Sequence, residues 1–112
     1  MTYEECVNHL PDELKALGYK IVNIKMVDEI TNFHLDNDCQ DCLIRIVHSN
    51  EKNRQCICYA KNIHSTDWKL CFYKDFNDKS YETIMDSAKR MVAQYKQYYI
   101  DLKINELSKD FK

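Results

Sequence analysis

Four cysteines carry the one metal-like spacing in this chain: Cys39-Gln40-Asp41-Cys42 is followed by Cys56-Ile57-Cys58. Thiolates so spaced could surround a zinc ion, with sulfurs about 2.3 Å from the metal in a tetrahedron, and His34 or His48 could replace one of them. The C-x-C half argues against this. On an extended strand residues i and i+2 share a face about 6.5 to 7 Å apart, too far for shared coordination unless the strand is bulged. Cysteine also behaves as a small hydrophobe among the most buried residue types. The sequence therefore favours core thiols with no bound cofactor, and Cys39, Cys42, Cys56 and Cys58 stand as an alternative zinc set.

Other chemistries find less support. A redox C-x-x-C usually opens a helix whose N-terminus lowers the thiol pKa, whereas Cys39 and Cys42 lead into strand-like sequence. Asp36, Asp38 and Asp41 resemble the start of a calcium loop, but Asp41 stands where such a loop needs glycine and Val47 where it needs a carboxylate. His9, His34, His48 and His64 are scattered, and no nucleophile elbow, Walker loop, zinc-protease motif or dinucleotide fingerprint is present. A single glycine leaves no phosphate cradle. No catalysis is expected.

At 112 residues the chain has material for one domain, 1–112. Hydrophobic residues at 45% and charged residues at 30% argue for a folded domain. The net charge of −2 marks neither a nucleic-acid binder nor its mimic. Its distribution is uneven: residues 1–42 hold nine acidic and three basic side chains, and residues 43–112 nine acidic and thirteen basic. Those halves are suited to face each other. The acidic N-terminus does not read as a secretory signal, and no apolar run approaches the roughly 18 residues of a membrane span. A cytoplasmic location with reduced cysteines is the expectation.

The elements that must position these residues follow from periodicity. Thr2 and Glu5 have capping-box spacing, and Tyr3, Val7, Leu10, Leu14 and Leu17 form an apolar stripe ending at Gly18. Pro11 predicts a kink or a split in that helical segment. From Tyr19 to Ile30 the period becomes two, and further β-rich runs cover Leu43–His48, Arg54–Lys61 and Trp68–Lys74. The longest expected loop is Thr31 to Asp41. A hairpin symmetric about Glu51 would pair Ile44 with Cys58 and Ile46 with Cys56, placing the even positions in the core. From Ser80 onward an uninterrupted helical pattern of about 30 residues would run about 45 Å, while a strand of six residues spans about 20 Å. The fold class predicted is α+β, in the order α-β-β-β-β-α. Its four-stranded, mainly antiparallel sheet carries the N-terminal helical segment and the long C-terminal helix on one face.

Two surfaces remain uncovered in that arrangement. The odd sheet face would present Arg45, Ile57, Tyr59 and Tyr73, and the overhanging helix Tyr98, Tyr99 and Leu102. Tyrosine and arginine dominate interface hot spots, so these residues are the expected contacts of a small non-catalytic interaction module. Its partner would be another protein, as for an inhibitor, immunity-type or phage-type antagonist covering a target, with a homodimer consuming one patch. Lys25, Arg45, Lys61 and Lys69 around Tyr59 and Tyr73 also resemble a platform for single-stranded nucleic acid, the less favoured reading.

Overall fold

The computed structural model describes residues 1–35, 42–64 and 67–110, with backbone alone for 108–110. Cys39, the acidic run 36–41 and Phe111 lie outside the described residues.

Helix α1 spans Tyr3–Ala16 and begins as its sequence dictates. The Thr2 hydroxyl accepts from the Glu5 amide at 3.2 Å, and the Glu5 carboxylate accepts from the Thr2 amide at 3.3 Å. Pro11 neither splits nor ends the helix, which runs through it as one element. It stops where Gly18 adopts a φ of +104°, which lets the Gly18 amide reach the Lys15 carbonyl and the Tyr19 amide reach the Leu14 carbonyl, each at 3.0 Å. This pair of bonds is a complete Schellman closure.

Among the described residues the sheet has five strands, not the four expected: β1 Lys20–Lys25, β2 Glu29–His34, β3 Cys42–His48, β4 Cys56–Ala60 and β5 Trp68–Phe72. They pair consecutively and antiparallel as a meander. The extra strand, β2, comes from the run read as one strand and a loop. The chain reverses at Met26–Asp28 without glycine or proline, and β2 then buries Thr31, Asn32 and His34 beside Phe33. Polar residues in a central strand gave no alternating pattern to read.

The β3–β4 register also differs from the symmetric one. Ile44 pairs with Tyr59, Arg45 with Cys58, Ile46 with Ile57 and Val47 with Cys56. A 3-10 turn at Lys52–Arg54 shapes the connection, with the Arg54 amide donating to the Glu51 carbonyl and the Gln55 amide to that of Lys52. His48 to Gln55 therefore form an even-numbered loop, and every β4 side chain changes face relative to the symmetric hairpin. Ile57 is fully buried at 0% exposure beside Phe33, Ile44 and Ile46, where Leu10 and Leu14 of α1 meet Ile84, Ala88 and Met91. Burying an isoleucine rather than a cysteine there contributes the larger transfer free energy, about 1.5–3 kcal/mol for the whole side chain.

Helix α2, Ser80–Asp110, packs its first half on this core. The buried Tyr19 hydroxyl donates to the Ala88 carbonyl at 2.8 Å, tying the end of α1 to α2. The β4–β5 connection braces the helix flank: Arg90 donates to the Lys61 carbonyl at 2.6 Å, and the Gln94 side chain bonds both the Ile63 amide and Asn62. The molecule measures 58 × 30 × 24 Å, its long dimension reflecting the length of α2.

Two stability predictions follow from these contacts. No atom lies within 4 Å of a Cβ added at Gly18, so Gly18→Ala acts through backbone strain alone and should cost about 1–2 kcal/mol in urea unfolding. Burial, with a smaller contribution from Cys71, pushes the Cys6 thiol up from 9.0 to about 12. The unfolded thiol ionises first as pH rises, so stability is full below about pH 9 and falls towards pH 12. Urea midpoints should show that decline, and Cys6→Ala should make it shallower without abolishing it, because burial also raises the Cys58 thiol to about 12; equal slopes would contradict the assignment.

Candidate interaction surface

Both helices lie on one face of the sheet, so among the described residues side-chain alternation leaves the other without a helix. Its rows run Val22, Asn32, Arg45, Cys58 and Leu70, then Ile24, Ile30, Val47, Cys56 and Phe72. Arg45 is exposed, Leu70 is 58% exposed and Ile24 39%, an apolar content that a solvated sheet face rarely carries. Arg45, Cys58, Trp68 and Leu70 line a depression of about 270 Å³.

A polar hub organises this face. Asn32 is 5% exposed, and its side-chain oxygen accepts from Arg45 Nε at 2.8 Å and from the Cys42 thiol at 3.3 Å. The three residues come from β2 and β3, where Asn32 and Arg45 are direct cross-strand partners. Holding Arg45 by one nitrogen reduces the side-chain freedom lost when the guanidinium meets a partner. Cys58 lies opposite Arg45, and its sulfur is 3.8 Å from that of Cys56. Burial, then the Cys56 thiol, pushes the Cys58 thiol up to about 12, while Arg45 opposes the shift.

Of the expected contact residues, Arg45 occupies the helix-free face, but Ile57, Tyr59 and Tyr73 do not. The register corrects their placement: Ile57 is core, and Tyr59 is half-buried on the helix-covered side. Tyr73 lies in a 3-10 turn after β5 with its ring 5.2 Å from that of Tyr3. The arrangement of tyrosines and cations read as a nucleic-acid platform is divided between faces for the same reason. Trp68, Leu70 and Phe72 take the outward positions instead. Loop parity was the signal that could have found them, because only an odd-numbered loop keeps even positions of β3 and β4 together.

The second half of α2 presents a separate surface. From Lys96 to Leu107 every residue is exposed, including Tyr98 at 41%, Tyr99 at 45% and Leu102 at 40%. At about 100° per residue, Tyr95, Tyr98, Tyr99 and Leu102 continue the stripe that Ile84, Ala88 and Met91 bury on the sheet. Ile100, Ile104 and Leu107 form a second stripe on the opposite side, also exposed. Edge-to-face contacts order the tyrosines, with Tyr95 and Tyr99 at 4.8 Å and Tyr98 at 4.8 Å from the ring of His64.

Among the described residues, no three His, Cys, Asp or Glu side chains come together to hold a metal, and no helix is long and apolar enough to cross a membrane. Comparison with protein-family models, with curated proteins and with solved structures finds no match to this chain.

Asn32→Ala tests the hub. It removes the acceptor of Arg45 Nε, while the Cys42 thiol keeps the Ile44 carbonyl at 3.0 Å, and should lower stability by about 0.5–1.5 kcal/mol in thermal or urea unfolding. An unchanged midpoint would mean that the face does not depend on Asn32.

Proposed function

We propose that this chain is a non-catalytic protein-interaction module that self-associates through the second half of α2 and uses its helix-free sheet face to cover a target protein. The observation that carries the reading is the stripe of Tyr95, Tyr98, Tyr99 and Leu102, which prolongs the core-facing side of α2 beyond the core. A helix that is apolar on two opposite sides calls for more than one neighbour. A second copy supplies an identical stripe through a two-fold axis, so that like residues meet like in a self-complementary contact. The acidic first 42 residues and the basic remainder give two copies complementary charge as well.

The sheet face is then left for the target. Arg45, Trp68 and Leu70 combine a held guanidinium, an aromatic ring and an exposed leucine around a depression, with Phe72 on the same face. Such a surface suits an apolar segment with a carboxylate that can meet Arg45. An inhibitor, an immunity-type protein or a phage-type antagonist works in this way, by occupying a surface without chemistry of its own. The compartment assigned to it is the cytoplasm, where the thiols of Cys6, Cys42, Cys56, Cys58 and Cys71 remain free.

Light scattering after size-exclusion chromatography tests the self-association. The reduced chain should run as a dimer at micromolar concentration. Leu102→Asp should shift it to monomer, at a cost of about 2 kcal/mol or more in association, with the far-UV spectrum unchanged. A wild-type monomer at every concentration, or a variant that remains dimeric, would contradict the assignment. For the sheet face, Leu70→Asp should abolish target inhibition while leaving dimer mass intact.

A further inference from the structure

Cys56 and Cys58 are used neither by the proposed helix contact nor as the centre of the hydrophobic core. Their Cβ atoms, two residues apart on β4, share the helix-free face, and their sulfurs approach to 3.8 Å. That is well inside the roughly 6.5–7 Å repeat of an extended strand, so the two side chains lean towards each other. Cys58 is half-buried and lines the depression beside Arg45, its cross-strand partner. Cys42 shares the face, but its thiol already donates to the Asn32 side chain and to the Ile44 carbonyl at 3.0 Å.

The pair has too few donors for zinc, which takes four ligands in a structural site, and its sulfurs are too soft for calcium or magnesium. Two thiolates suit a soft monovalent ion with a filled d shell, which accepts linear or bent coordination by sulfur. Two collinear bonds even of the zinc–sulfur length, about 2.3 Å, would span about 4.6 Å, so a gap of 3.8 Å requires a bent angle or a small side-chain rotation. We propose that Cys56 and Cys58 form a two-coordinate bis-thiolate site for Cu(I), with Arg45 as its counter-charge.

The balance of charge is definite. One Cu⁺ displaces one proton from each thiol, giving a bis-thiolate complex of charge −1 and two protons released to solvent. The guanidinium opposite Cys58 neutralises that charge on a face that is otherwise largely apolar. No change of oxidation state occurs.

Anaerobic titration of the reduced full chain with Cu(I), in competition with a chromophoric Cu(I) chelator, tests the site. One ion should bind per chain. Cys58→Ser, at a half-exposed position and checked for fold by circular dichroism, should weaken binding on the order of a hundredfold. Arg45→Leu should weaken it about tenfold. Cys71→Ser, on the helix-covered face opposite Ile57, should bind as the wild type does. X-ray absorption of the wild-type adduct requires no substitution and should find two sulfur ligands. Wild-type affinity in Cys58→Ser, loss of binding in Cys71→Ser, or a shell with more sulfurs or with imidazole nitrogen would overturn the proposal.

Discussion

The pairing of Ile46 with Ile57 is the contact on which the rest of the molecule depends. Side chains alternate along a strand, so one residue of slip would exchange the entire contents of the two faces of β4. In the observed register Ile57 completes the apolar cluster under both helices, and Cys56 and Cys58 pass to the other side. The 3-10 turn at Lys52–Arg54 is the local device that enforces it, by giving the hairpin an even-numbered loop. β5 then inherits its register from β4, which puts Leu70 opposite Cys58 and lines the depression beside Arg45.

A second constraint comes from a mismatch of lengths. Strands of five to seven residues offer a short platform, while α2 has 31 residues. The core therefore uses only the first half of the helix. The contacts from Arg90 and Gln94 to the β4–β5 connection hold its flank, so the exposed half extends from a braced helix. Its apolar stripe and the helix-free sheet face are distinct surfaces.

Much of this was legible in the sequence where local rules act alone. The capping box of Thr2 and Glu5, the stop at Gly18 and the long uninterrupted helix from Ser80 are local patterns, and each forms where the residues predict. The exposure of Tyr98, Tyr99 and Leu102 also followed, because it rests on comparing the length of a helix with that of a strand. Long-range pairing was less legible. β2 buries Thr31, Asn32 and His34, whose polarity reads as loop until cross-strand partners such as Arg45 are known. The hairpin register turned on a short 3-10 turn without glycine or proline, and a symmetric loop was the wrong default. Ile57, Tyr59 and Tyr73 were misplaced together because a single parity error propagates along a sheet.

The register can be read directly in solution from cross-strand proximities between β3 and β4 in a nuclear Overhauser spectrum of the labelled, reduced chain, Hα–Hα at the non-hydrogen-bonded pairs and amide–amide at the hydrogen-bonded pairs that alternate with them. The structure predicts the pairings Ile46 with Ile57 and Arg45 with Cys58. Pairing of Ile46 with Cys56 and of Ile44 with Cys58 would return the cysteines to the core face. It would also move Ile57 and Tyr59 outward and contradict the account of both sheet faces.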